Sequence, residues 1–177
     1  MFLNPEKIIG KLELREGHYV ADFGAGTGVF SILSAKRVGP TGRVYAIEVH
    51  REQVSSIKKA FEKEGLDKTT EVIWADFEKL LGTKLKDEVI DRAILANTFF
   101  LLPDKKGALM EIKRVMKPGA KILFIDWKDS YDNLGPIPDM VVAPETAREL
   151  LEKNSFRFVE DVADAGEHHY GMIFTKD

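Results

Sequence analysis

Apolar positions along the chain follow two alternating periods. Residues 18–23, 43–48, 71–75, 91–96 and 121–126 are short, nearly continuous runs of Val, Ile, Ala, Leu and Phe, each with an acid or amide at or beside its end. Runs of that length, bounded by turn residues, read as strands buried on both faces. Between them the spacing turns helical. Residues 28–38 carry Val29, Phe30, Ile32, Leu33 and Val38 before a Gly39-Pro40 stop, and residues 51–64 carry Val54, Ile57 and Phe61 before Gly65. Residues 104–116 form a third helix, which Lys117-Pro118-Gly119 should break, and Pro144 opens a fourth through residue 153. At the entry, Asn4-Pro5-Glu6 has the cap, the proline and the acid of a helix start, with Ile8, Ile9 and Leu12 as its stripe. A short helix is expected after Asp76, and a Gly/Pro-marked loop over residues 128–143. The last two runs, 156–163 and 170–175, have only a polar turn between them, so they must pair as a hairpin. Strands alternating with helices predict an α/β, doubly wound seven-stranded sheet, mostly parallel with the last strand antiparallel.

Composition narrows the class. The 177 residues fit one domain spanning 1–177, with a sizeable core. A net charge of -3 supplies no basic field for nucleic acid or a membrane surface. The absence of cysteine removes disulfides, thiolate metal sites and a thiol nucleophile, and no metal centre is expected. The first residues are too soon broken by Pro5 for a signal segment, and no apolar run approaches the roughly 18 residues of a membrane span. A cytoplasmic protein is expected. No membrane partner is expected, nucleic acid is disfavoured as a partner, and a homodimer is left open. Lys and Glu dominate the charged set and Gln occurs only at Gln53, a bias met in thermophile proteins.

The candidate chemistry begins at Val20-Ala21-Asp22-Phe23-Gly24-Ala25-Gly26-Thr27-Gly28. An apolar strand ends in an acid and runs into three alternating glycines that open a helix. Glycine lets the backbone approach a ligand where any Cβ would clash. The N–H groups and positive dipole end of the following helix favour an anionic ligand group. A dinucleotide fingerprint would need a third glycine at position 29, where Val29 stands, and no Gly-Lys-Ser/Thr follows for a Walker loop.

The segment Asp22-Phe23-Gly24-Ala25-Gly26-Thr27-Gly28 resembles motif I of the class I S-adenosylmethionine-dependent methyltransferases. Val44-Tyr45-Ala46-Ile47-Glu48, Trp74-Ala75-Asp76-Phe77, Asp91-Arg92-Ala93-Ile94-Leu95-Ala96-Asn97 and Val115-Met116-Lys117-Pro118-Gly119-Ala120 are similar to its later motifs, in order and at fitting spacing. The resemblance covers nearly the whole chain. It implies a Rossmann-like fold and S-adenosylmethionine as cofactor. It also implies a binding set of Asp22, Gly24, Ala25, Gly26, Gly28, Glu48, Val49, Asp76, Phe77 and Asn97. In that reading Glu48 accepts both ribose hydroxyls and Asp76 the adenine amine. Phe77 or Val49 flanks the ring, the glycine N–H groups meet the carboxylate end, and Asp22 faces the amino end.

The implied reaction is an in-line displacement at a methyl on sulfur. Positioning of that kind supplies on the order of 7–11 kcal/mol of the barrier. A general base is needed only if the acceptor loses a proton, and His168, His169 and Asp126 are its candidates. Adjacent histidines on a strand point opposite ways, which makes a poor metal pair. After the fourth strand, Asn97-Thr98-Phe99-Phe100 lacks the Asn/Asp-Pro-Pro-aromatic signature of enzymes that methylate adenine amines or glutamine amides. A small-molecule acceptor is therefore the first expectation. A methyltransferase acting on RNA or protein, and a non-catalytic S-adenosylmethionine-binding protein, remain as alternatives.

Overall fold

The computed structural model describes residues 3–131, 134–163 and 165–177. Its centre is a seven-stranded sheet of order β3-β2-β1-β4-β5-β7-β6. The strands are β1 (Tyr19–Phe23), β2 (Arg43–Glu48), β3 (Thr70–Trp74), β4 (Ile90–Ala96), β5 (Met116–Trp127), β6 (Phe156–Asp161) and β7 (His169–Lys176). β1 to β5 pair in parallel, and β7 runs antiparallel to both β5 and β6. The doubly wound sheet with its antiparallel last strand is thus the one the sequence predicts.

The period-2 rule explains the two-sided core. Val20, Val44, Ile94, Leu123, Ile125 and Ile173 face one side, with Phe30 and Val38 of α2 (Val29–Val38) and Ile8, Ile9 and Leu12 of the N-terminal segment. On that side too, Ala46 meets Ile57 and Phe61 of α3 (Arg51–Lys63). Their neighbours Ala21, Phe23, Ala93, Leu95, Phe124 and Phe174 face the other side, against α4 (Lys105–Val115) and α5 (Pro144–Lys153). The entry helix α1 (Pro5–Ile8) is capped by Asn4, whose Oδ1 accepts the Lys7 N–H at 3.2 Å.

Several boundaries differ from the sequence reading. No helix follows Asp76: residues 77–83 form irregular turns, pinned by Glu111 of α4, which accepts the Leu81 and Thr83 N–H groups. Lys117-Pro118-Gly119 ends the helix but does not interrupt the next strand, because β5 already starts at Met116. A register shift opposite, between Ile90 and Arg92, spares Pro118 a ladder bond it could not donate. β6 stops at Asp161, two residues short of the predicted end, beyond a bulge between Phe158 and Glu160. β3 begins and ends one residue early, and β7 starts at His169. The loop over residues 128–143 holds a 3-10 turn at Pro138–Met140, and two of its residues lie outside the described set.

Strand order reverses between β1 and β4. In doubly wound sheets the crevice at the carboxyl ends of such a pair is where ligands bind. Here Gly24 follows one strand and Asn97 and Thr98 follow the other.

Candidate functional site

The loop after β1 is built from backbone contacts. The Gly24 and Ala25 N–H groups both donate to the Ile47 carbonyl of β2, at 2.9 and 3.0 Å. Gly24, Gly26 and Gly28 all take left-handed backbone, with φ of +73°, +55° and +79°. A Cβ on Gly24 would lie 2.5 Å from Thr98 Oγ1, and one on Gly28 would lie 3.2 Å from Ile57. At Gly26 nothing nearer than the loop's own Gly24 carbonyl at 3.9 Å would meet it. Packing thus demands the glycine at position 24, while Gly26 faces open space.

Gly24→Ala is expected to destabilise the fold by about 1–2 kcal/mol from the left-handed backbone alone, with the Thr98 clash added. Denaturant unfolding checks this. Adding Thr98→Ala should relieve the Oγ1 and Cγ2 overlaps and leave the backbone part with a tight Cβ contact at 3.0 Å. An unchanged loss in the double variant would remove Thr98 from the account.

Glu48, at the end of β2, is nearly buried and accepts three backbone N–H groups. Its Oε2 accepts the Gly26 N–H at 3.0 Å, and its Oε1 accepts those of Val49 at 2.8 Å and His50 at 2.9 Å. The carboxylate therefore fixes the glycine loop and the start of α3 together. Asp22, one residue before the end of β1, is buried and accepts the Ser31 hydroxyl at 2.6 Å. Burial pushes its carboxyl up to about 6, against the pull of Ser31. Asn97 sits at φ +54°, its N–H bonded to the Ile125 carbonyl at 2.9 Å. Its Oδ1 is buried without a partner, an acceptor that asks for a donor the protein does not supply.

Two cavities share the Gly24–Gly26 backbone. One, of about 370 Å³, is lined by Glu48, Val49, Gln53, Asp76, Thr98 and Leu101 among others. The other, of about 280 Å³, is lined by Asp22, Thr27 and Asn97, with Leu3 and Pro5 of the N-terminal segment. Asp76 lines the first and is held in its own loop: its Oδ1 accepts the Glu78 N–H at 3.1 Å and its Oδ2 lies 3.1 Å from Lys79 Nζ. Half of Val49 is exposed, and its carbonyl accepts the Trp74 indole N–H at 2.8 Å. Phe77 touches this cavity, but its ring is buried edge-on against Phe23, with centroids 5.4 Å apart.

The structure therefore gathers Asp22, Gly24, Ala25, Gly26, Glu48, Val49, Asp76, Phe77 and Asn97 around one pair of cavities. Gly28 lines neither and serves as the N-cap of α2. The three candidate bases are also outside both linings. His168 holds Asp129 through Nδ1 at 2.8 Å and stacks on Tyr131 at 4.0 Å between centroids. His169 is buried against Trp127 at 4.1 Å, with neither ring nitrogen partnered, and burial lowers its basicity. Asp126 is fully buried. Sequence reasoning missed His50, Gln53, Thr98, Leu101 and Leu102 as lining residues. A lone Gln on the first turn of α3 and a Thr beside Asn97 were the available signals.

A molecule with a polar nucleoside at one end and a charged tail at the other fits this pair of cavities. The first offers carboxylates for hydroxyl and amine donors. The second offers Asp22 and the orphaned Asn97 oxygen for an amino group. Among the described residues no cluster of three or more metal-binding side chains occurs, and no helix is long and apolar enough to cross a membrane.

Comparison with known proteins agrees with this geometry. A family described as "Methyltransferase domain" matches residues 14–172. A ubiquinone/menaquinone biosynthesis C-methyltransferase of Bordetella avium is 31% identical over 131 residues, 74% of this chain and 49% of that protein. The chain spans about half the length of the curated relatives it matches. Among solved structures, a SAM-dependent methyltransferase from Aquifex aeolicus superposes with a TM-score of 0.89 at 33% identity, covering 99% of this chain and 91% of that one. The [4+2]-cyclase SpnF has a TM-score of 0.81 at 16% identity over 97% of this chain and 80% of its own. That likeness is one of fold alone, and a cyclase on this fold shows that the fold does not dictate the chemistry. With the family match over residues 14–172 and the Aquifex structure alike over nearly its whole length, the chain belongs to the S-adenosylmethionine-dependent methyltransferases.

Proposed function

We propose that the chain binds S-adenosylmethionine across the Gly24–Gly26 loop and passes its methyl group to a small-molecule acceptor by in-line displacement. The observation that carries this is the loop itself, shared by two cavities that each present carboxylate or amide oxygens to the donors of one end of the cofactor. The cofactor supplies a methyl on a sulfonium, a good leaving group already installed.

The protein's part is to hold and to shield. Glu48 and Asp76 accept from the nucleoside end, with Val49 and the rim of Phe77 against the ring. Asp22 and Asn97 Oδ1 accept from the amino group. The Gly24, Ala25, Gly26 and Gly28 N–H groups, expected from the sequence to meet the carboxylate, already donate within the protein, so those glycines serve by close backbone approach. Leu101 and Leu102 on one side, and Leu3 and Pro5 on the other, wall the space between. Apolar walls exclude water and strengthen the electrostatic contacts inside. His168, the first of the candidate bases, is held by Asp129 outside both cavity linings, so no base is assigned for an acceptor that must lose a proton.

The relatives are named for C-methylation in ubiquinone and menaquinone biosynthesis. That supports a small cyclic acceptor and makes quinol-type rings the first compounds to try. Incubation with methyl-labelled S-adenosylmethionine and a quinol panel should move label into the small-molecule fraction. Label appearing only on RNA or protein of a cell extract would instead support a macromolecular acceptor.

A further inference from the structure

Asp126 lines neither cavity, yet it ties down the wall of one of them. It has no exposed surface. Its Oδ2 accepts the Phe100 N–H at 2.9 Å, and its Oδ1 accepts the Trp127 N–H at 2.9 Å. Phe100 is the middle residue of the 3-10 turn Phe99–Leu101 after β4. Around it, Thr98, Leu101 and Leu102 line the larger cavity. Thr98, whose hydroxyl donates to the Ala96 carbonyl at 3.0 Å, also packs its Oγ1 3.4 Å from the Gly24 carbonyl and fills the space a Cβ on Gly24 would take. Contacts therefore run unbroken from Asp126 through the turn to the glycine loop.

Both partners of this carboxyl group are donors. An ionised Asp126 accepts both N–H groups. A protonated one must place its own O–H on one of the two oxygens, and so weakens a bond. The Lys105 charge of α4 favours the ionised form. Tyr170 of β7 also faces it, but its hydroxyl donates to the Val142 carbonyl at 2.9 Å. That phenol is pushed up by its burial and by the charges of Asp126 and of Glu145 on α5, so it stays neutral. Burial raises Asp126 to about 7, against the opposing pull of the two N–H groups and Lys105.

We propose that Asp126 is a positioning residue for cofactor binding: its ionised carboxylate holds the Thr98–Leu102 turn against the glycine loop, and loss of the charge loosens that wall. The proposal rests on the cofactor reading given above. It gives Asp126 a role that needs no contact with the acceptor.

Calorimetric titration of the whole protein with S-adenosylhomocysteine, from about pH 5.5 to about pH 8.5, tests it. Affinity should tighten about threefold to tenfold through a step near pH 7, the difference between a neutral and a charge-assisted hydrogen bond. Asp126→Asn should remove that step and leave the lower one, near pH 6, that Asp22 contributes. A step near pH 7 that survives in Asp126→Asn overturns the proposal. Should that variant fail to fold, the wild-type protein still decides: proton release on binding, read from buffers of different ionisation heat, should peak near pH 7, and a peak near pH 6, the release that Asp22 alone would give, overturns it. Failure of the underlying cofactor reading looks different, as the absence of saturable binding at every pH.

Discussion

Glu111→Ala is expected to lower the stability of the fold by about 3–5 kcal/mol, the range for stranding one member of a buried ion pair. Glu111 lies on α4 with no exposed surface. It accepts the Leu81 N–H at 2.8 Å and the Thr83 N–H at 3.1 Å, together with the Thr83 hydroxyl. Arg114, one turn on, grips it through Nε and Nη2, both at 2.8 Å, while its Nη1 holds the Leu85 carbonyl at 2.9 Å. The segment between Asp76 and β4 has no regular structure of its own, so these bonds stand in for a ladder. Burial alone would raise the Glu111 carboxyl. Arg114, Thr83 and the two N–H groups outweigh it and hold the group at about 2. A depressed acid contributes stability that is present above the ordinary carboxylate range and lost as pH falls toward that lower value. The alanine variant should therefore show a lower denaturant midpoint at neutral pH, and a shallower fall in stability on acidification. A midpoint like that of the wild type would show that the segment is held some other way.

Glu48→Ala should weaken cofactor binding by about tenfold to a hundredfold, the equivalent of one ionic hydrogen bond of roughly 1.5–3 kcal/mol. The carboxylate does two things at once. It lines the larger cavity, and it takes the Gly26, Val49 and His50 N–H groups that shape the loop and the start of α3. Glu48→Gln keeps the size but puts an NH₂ where only acceptors fit, so most of the loss should persist. Titration calorimetry of both variants reads this. Affinity unchanged in either would take Glu48 out of the binding site.

Much of this was legible because the relevant signals are local. Val20 and Ala21, or Leu123 and Phe124, are adjacent apolar residues that enter opposite cores, and only a strand covered on both faces reads that way. Glu48 stands about 20 residues beyond the glycines, the spacing at which a ribose-binding acid follows a phosphate or carboxylate loop. What escaped the sequence depends on partners far along the chain. Asp76 does accept the Glu78 N–H like a helix cap. The chain nonetheless turns away, because Leu81 and Thr83 bond to Glu111 some 30 positions later. Thr98 lines the cavity because the β1–β4 pairing sets it over Gly24. Asp126 stands at the ligand-binding edge of the sheet, as its position implies, but its side chain turns inward to two N–H groups. No spacing rule distinguishes the two orientations.

The central claim is that the Gly24–Gly26 loop is an S-adenosylmethionine site. Calorimetric titration of the protein with S-adenosylmethionine, S-adenosylhomocysteine and NAD tests it directly. Both sulfur compounds should bind saturably at one site per chain, and NAD should not bind. Binding of NAD, or no saturable heat with either sulfur compound, would contradict it.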